Sequence, residues 1–415
     1  MLSVLYLLRL NLTILFLLII LFLIVIDILT FKGIRFKIKS TYKNFLFCLY
    51  WFFSLIIYFV VFYFFYIHKW QRNPHDLIHL YNFSAFSLII YLPKTMYAVF
   101  CCIQLTYNFI IERVTGFPLK IINNFFQKTG LIISIIAFLV LLCGFLFGRY
   151  RYEITINNLK FSNLPVSFNN LKIVQISDLH IGTYINNPKQ IDKVVSIINR
   201  QNPDLVFFTG DMVNSFAEEM PEFLSSLKKI HANIGKFAVL GNHDYGDYYL
   251  WKEEKDRAEN HLLLNNYIEQ AGFKLLLNEN KAIIRNKDTI YVAGTENWGK
   301  LPYRQAGDLN QSVMGIGRDK FVMLLSHDPV FWDIFVTKQS NIEMTFSGHT
   351  HGMQFGIRVG KFEWTPFQLG NKRWSGLYKK NKQYLYVNKG LGSAMYTGRL
   401  GMWPEISVFE LHSSN

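Results

Sequence analysis

The chain has 415 residues, of which 51% are apolar, 17% charged and 17% aromatic. Disordered chains are poor in aromatics and rich in charge, so disorder is excluded. Residues 1–150 carry 13 Lys/Arg against 3 Asp/Glu and residues 151–415 carry 30 against 26, which excludes a uniform soluble protein and joins two different materials near residue 150.

Four apolar runs fill the first part, at 11–30, 45–67, 83–111 and 131–148. About 20 helical residues cross a hydrocarbon layer of roughly 30 Å, so each run predicts a membrane span and residues 1–149 predict a transmembrane region. A cleaved signal peptide does not fit, because the first run is too long and three more follow. Two charges lie within the runs. Asp27, near the end of the first, is expected at the interface. Lys94 follows Pro93 in the third, where a break at the proline with Lys94 facing the bundle or snorkelling is as good a reading as a functional charge.

The loops after the first and third runs hold Lys32, Arg35, Lys37, Lys39, Lys43, Arg113, Lys120 and Lys128, against Arg9, Lys69, Arg72, Arg149 and Arg151 on the other side. Positive residues favour the cytoplasm, so this bias places residues 150–415 outside it. Cys48, Cys101, Cys102 and Cys143 all fall in the runs. The second part has no cysteine, so its metal ligands must be oxygen and nitrogen.

Residues 150–415 read as alternating strands and helices. Strands are expected at 171–176, 204–208, 236–240, 283–285, 289–293, 321–325, 343–346, 384–388 and 405–410, and helices at 188–201, 221–231 and 251–271. Such alternation argues an α/β fold with largely parallel strands. Five strands are followed at once by ligand-type residues: Asp178 and His180; Gly210-Asp211; Gly241-Asn242-His243-Asp244; His327-Asp328; Gly348-His349-Thr350-His351. Ligand groups in open α/β sheets gather beyond the carboxyl ends of strands. Singly, each of these motifs is most often a turn. Together they supply enough oxygen and nitrogen donors for two octahedral-leaning cations, and too many for one structural zinc.

Asp178-x-His180, Gly210-Asp211, Gly241-Asn242-His243-Asp244, His327 and Gly348-His349-x-His351 resemble the full signature of the calcineurin-like metallophosphoesterases over about residues 170–412. The run Gly390-Leu391-Gly392, Arg399 and Pro404-Glu405-Ile406 is similar to the end of a bacterial, membrane-attached subgroup. The resemblance implies a four-layer αββα sandwich with a dimetal site on one edge. Asp178, His180, Asp211 and His351 would hold one metal. Asn242, His327 and His349 would hold the second, with Asp211 shared. His243 would be the general acid, and Asn214 would stand where family members often carry a carboxylate that orients it. The implied reaction is attack by a metal-bridging hydroxide on a phosphoester, phosphodiester or pyrophosphate. Manganese is the implied metal, with iron or zinc compatible. Met353 departs from the family, which often has glycine there; it could narrow the site or be a harmless loop substitution.

Four spans keep such a site near a bilayer, which favours a lipid-linked substrate. Trp364, Trp374, Tyr378, Tyr396 and Trp403 could meet the interface, and Lys372, Arg373, Lys379, Lys380, Lys382 and Arg399 could attract anionic headgroups, although core aromatics and a solvated face explain the same residues. A nucleic-acid partner is not expected, because the charge excess of the second part is small and no binding motif is present. The alternatives are a cytoplasm-facing phosphodiesterase of a soluble nucleotide, a catalytically idle membrane sensor or scaffold that binds a phosphorylated ligand, and, on Lys94 alone, a transporter.

Overall fold

A computed structural model describes residues 2–35, 42–67, 73–116, 124–299, 301, 304–339, 342–360, 362–370, 372–394 and 396–414. The chain forms two compact units, one of Met1–Gln71 with Asn82–Cys143 and one of Arg72–Tyr81 with Gly144–Asn415. Of the cations behind the orientation expectation, Lys37, Lys39, Lys69, Arg72 and Lys120 lie outside the described residues.

The apolar runs form four helices: α1 (Leu2–Arg35), α2 (Lys43–Phe62), α3 (Pro74–Thr115) and α4 (Phe125–Leu146). All four are long and apolar enough to cross a membrane. A helix satisfies its own backbone polar groups, which hydrocarbon cannot do. Asn73 starts α3 ahead of the first predicted apolar residue, its side-chain oxygen accepting the His75 N–H at 2.9 Å. The break expected at Pro93 does not occur; α3 continues through it. Asp27 is fully buried among the helices, and Lys94 Nζ donates to its Oδ1 at 2.7 Å.

The second unit holds β1 (Glu153–Phe161), β2 (Leu171–Ile176), β3 (Leu205–Thr209), β4 (Gly235–Val239), β5 (Lys274–Leu275), β6 (Glu279–Arg285), β7 (Asp288–Gly294), β8 (Phe321–Leu325), β9 (Ile342–Ser347), β10 (Ile357–Val359), β11 (Phe362–Trp364), β12 (Gly376–Lys380), β13 (Gln383–Val387) and β14 (Glu405–Ser413). One six-stranded sheet has the order β1-β14-β2-β3-β4-β5 and the other β12-β13-β9-β8-β7-β6, while β10 and β11 form a separate hairpin. Alternation within β3 shows how the layers form. Leu205 and Phe207 enter a core shared with Phe321, Met323, Met344 and Phe346 of the other sheet, whereas Val206 and Phe208 pack outward with Ile191, Val195 and Ile268 of the helices Lys189–Arg200 and Glu254–Gln270. Burial on both faces explains the unbroken apolar run. The second sheet is covered outside by Leu309, Trp332 and Val336. The result is the αββα sandwich. The helix expected over 221–231 is α-helical only at Leu224–Leu227, after a tight turn at Pro221–Phe223.

Within the sheets, β2, β3 and β4 run parallel, as do β8 and β9. Their carboxyl ends carry Asp178 and His180, Asp211, Asn242 and His243, His327, and His349 and His351 in turn.

Candidate metal centre

Five of the seven expected ligands have left-handed backbone: Asp178 (φ 48°), His180 (φ 41°), Asp211 (φ 59°), His349 (φ 72°) and His351 (φ 52°). This region is costly for residues with a Cβ, and such strain gathers where a fold over-determines a functional site. The glycines between them let the loops close. At Gly210 (φ 93°) an added Cβ would lie 2.6 Å from both the Gly241 nitrogen and the His327 ring, and at Gly348 it would strike Ser177 and Asp178.

The loops bring the side chains into two groups. Asp178, His180, Asp211 and His351 each offer one donor atom within 4.8 Å of the others, and Asp211, His327 and His349 form a second such group. Asp211 belongs to both. At His327 a hydrogen bond fixes which nitrogen faces inward. His327 Nδ1–H donates to the Thr209 carbonyl at 2.7 Å, so Nε2 points to Asp211 Oδ2 at 3.2 Å and to Asn242 Oδ1 at 3.1 Å. Asn242 Nδ2 donates to Tyr248 Oη at 2.6 Å, which leaves Oδ1 for the site. His349 presents Nδ1, 3.3 Å from His327 Nε2, with Nε2 turned to Asp328 at 3.8 Å. His180 and His351 face each other through Nε2 at 3.1 Å, and His351 Nε2 lies 3.2 Å from Asp178 Oδ1.

The electrostatics suit cations. Burial lowers the pKa of His180 to about 3, helped by the positive side of His243, and lowers His349; burial, with His180 and Arg399 adjacent, holds His351 well below the imidazole range. These rings are therefore neutral and able to ligate. Burial raises the Asp178 carboxyl to about 7. Burial opposes charge on His327 too, but Asp211 beside it and Asp178 behind carry its pKa up to about 10. A mixed oxygen and nitrogen set with one shared carboxylate could hold divalent cations.

The expected role of the Asn214 side chain is corrected. His243 Nδ1 meets the backbone carbonyl of Asn214 at 2.8 Å, and the side-chain amide faces away, its nitrogen suited to the His180 carbonyl at 3.2 Å and Glu219 Oε2 at 3.0 Å. The amide cannot reach the imidazole because it is part of a neighbouring knot. There the buried Glu219 carboxylate accepts the N–H groups of Gly182, Asn214, Ser215 and Phe216. Asp244 does not serve His243 either. Its carboxylate accepts the N–H groups of Gly241, Asp211 and Met212, each at 2.8 Å, and of Val213 at 3.2 Å. Arg399 is fully buried and is no headgroup attractor; it donates to the carbonyls of Lys389 and Gly392 and reaches His351 Nδ1 at 3.3 Å. Met353 is half-exposed with φ 65°, a conformation that glycine adopts without strain.

Sequence reasoning missed Glu219, Tyr248 and the role of Asp328. Tyr248 stacks on the His243 ring with centroids 4.3 Å apart. Nothing in the spacing of Glu219 or Tyr248 marks them; only folding brings them to the ligands. Asp328 directly follows His327, and that adjacency was the one available signal.

Residues 171–353 match the family described as calcineurin-like phosphoesterase, and residues 10–149 match "Probable Calcineurin-like phosphoesterase, transmembrane domain". A UDP-2,3-diacylglucosamine pyrophosphatase, LpxG, of Chlamydia trachomatis is 30% identical over 284 residues, covering 55% of this chain and 81% of that protein. The chain belongs to the calcineurin-like phosphoesterase family. An uncharacterized metallophosphoesterase, YkuE, of Bacillus subtilis is 29% identical, over 66% of this chain and 91% of its own. A transmembrane protein with metallophosphoesterase domain from Danio rerio is 25% identical, over 78% of this chain and 70% of its own. The last similarity extends to a eukaryotic membrane protein, so likeness is not confined to the bacterial subgroup.

Proposed function

We propose that this membrane protein hydrolyses a phosphate ester or pyrophosphate bond of a lipid-linked substrate, using two divalent cations, with manganese the preferred metal. The observation that carries this reading is the sharing of Asp211 between two ligand groups, all of whose members are buried except the half-buried His349. Asp178, His180, Asp211 and His351 would hold one cation, and Asp211, Asn242, His327 and His349 the other. When bound, the cations supply Lewis-acid stabilisation to a phosphoryl group and lower the pKa of water. The protein's own groups do the rest. The Asn214 carbonyl fixes His243 Nδ1 as a donor and leaves Nε2 to carry a proton to the departing oxygen. Tyr248 stacks against the ring and limits its rotation.

Support for a lipid-linked substrate comes from the four spans and from the name of the Chlamydia relative. The positive-residue count favours a catalytic unit outside the cytoplasm. The test is hydrolysis by purified full-length protein with added manganese. A chromogenic phosphodiester, a nucleotide-sugar pyrophosphate and its diacylated form are to be compared. Turnover lost in Asp211→Asn together with bound metal supports the reading. Two bound metals without turnover on any of these substrates overturns it in favour of an idle scaffold.

A further inference from the structure

The β10–β11 hairpin has its faces reversed relative to an ordinary surface hairpin. Its register pairs Ile357 with Trp364, Arg358 with Glu363 and Val359 with Phe362. Side chains alternate along a strand, so Ile357, Val359, Phe362 and Trp364 share one face and Arg358 and Glu363 share the other. The polar face is the one turned toward Glu153 and Lys389, with Glu363 half-buried and Arg358 still exposed at its rim. Arg358 pairs with Glu153 and with Glu363 at 3.3 Å, and the buried Lys389 Nζ joins Glu153 at 2.6 Å and Glu363 at 3.2 Å. The apolar face is turned out: Ile357 is 56% exposed, Val359 70%, Phe362 61% and Trp364 36%. Single exposed apolar residues are normal on any surface, but four on one face of one hairpin mark a surface that meets an apolar partner.

Chain connectivity identifies the partner. Glu153, the anchor of the inner face, lies three residues after Tyr150, where the fourth candidate span ends. Three extended residues reach no more than about 10 Å. The salt-bridged base of the hairpin is thus held close to the point where the chain leaves the bilayer. Two ion pairs, Arg358 with Glu153 and Glu363 with Lys389, join it to the rest of the unit, so the hairpin cannot turn over without breaking both. A tryptophan beside aliphatic and phenyl side chains is also the composition of a bilayer interface.

We infer that this hairpin is a membrane-contacting element of the catalytic unit, laying Ile357, Val359, Phe362 and Trp364 into the interface of the bilayer that its own helices span. It directly follows the His349-x-His351 loop in sequence. Docking it would therefore hold the ligand-bearing edge at the lipid surface. The inference does not rest on the proposed reaction, because its test does not read activity.

The test uses full-length protein in lipid nanodiscs. Cys48, Cys101, Cys102 and Cys143 are replaced, and a nitrobenzoxadiazole label is placed by Val359→Cys, with Glu259→Cys as the control on an exposed helix. The label at 359 is expected to emit at shorter wavelength than the control and to be quenched by brominated acyl chains, at a depth of roughly 5–10 Å. Emission like the control overturns the inference. A blue shift without bromolipid quenching assigns the face to protein and also overturns it. Should the cysteine-free chain fail to fold, a benzophenone amino acid at Phe362 in the otherwise unchanged chain gives the same decision. A lipid adduct supports the inference, and an adduct to a second copy or no adduct refutes it.

Discussion

Lys94 Nζ and Asp27 Oδ1, 67 positions apart in sequence, meet at 2.7 Å among the membrane helices. The hydroxyls of Tyr50 and Tyr91 donate to the same carboxylate at 2.8 and 2.9 Å, and that of Tyr58 donates as well. The two charges that stood out in the apolar runs are thus each other's solution. Hydrocarbon penalises a lone charge, and the pair with its hydroxyls ties α1, α2 and α3 together. This geometry gives the transporter alternative no support, since Lys94 is engaged in that pairing.

Removing one partner leaves the other charge buried. Lys94→Met is therefore expected to cost about 3–5 kcal/mol, and Asp27→Asn with Lys94→Met together much less than either single change. Thermal unfolding in detergent reads both. Additive losses would show that the pair is not coupled.

Asp244 organises the loop that presents Asp211, through four backbone N–H groups. Asp244→Ala leaves those donors buried and unpaired. Metal affinity should fall about 10–100-fold, as is usual for groups that hold a ligand in place. Calorimetric titration with manganese measures this, and unchanged affinity would refute the role.

Metal loading should release protons. Without metal, burial raises Asp178 to about 7, and Asp211 and Asp178 outweigh burial to raise His327 to about 10. Both groups must lose a proton to ligate, so affinity falls as pH drops below about 10, where His327 takes up its proton, and more steeply below about 7, where Asp178 does as well. The sign for stability follows. Raised folded-state values favour the metal-free fold at low pH, and that gain is lost as pH rises through them. The melting-temperature difference between manganese-loaded and chelator-treated protein should therefore widen from pH 6 to pH 8. A difference that narrows over that range would contradict the assignment.

His243→Ala should keep both metals bound, because His243 belongs to neither ligand group. Turnover should fall about 10²–10⁴-fold for poor leaving groups and far less for nitrophenolate, which departs without a proton. Equal slowing of both substrates would remove the general-acid role.

Much of the catalytic unit was legible residue by residue. The apolar runs at 171–176 and 204–208 announced buried strands because both faces are covered, and the polar residues that end them were conspicuous against that background. Strand β1 was not legible. It is an edge strand pairing in parallel with β14, more than 240 residues away, and its inward positions begin with the polar Glu153, Thr155 and Asn157 while Ile154 and Ile156 are exposed, so no apolar face marks it. The short β10 and β11 escaped for a related reason: their apolar residues face outward and mark no core.

The amino-acid order alone determined the four long apolar helices, the alternation of strands with polar residues and which side chains converge at the strand ends. These depend on local spacing and side-chain chemistry, which a linear text contains. Only the tertiary structure decided which groups support them. It turned Asn214 away from His243 and gave its carbonyl the contact, set Asp244 beneath the Asp211 loop, buried Arg399 behind His351 and joined Asp27 to Lys94. Each of these is a choice of direction for a polar group between segments distant in sequence. That choice is made by the cost of leaving a buried donor or acceptor without a partner, which is a property of the packed chain.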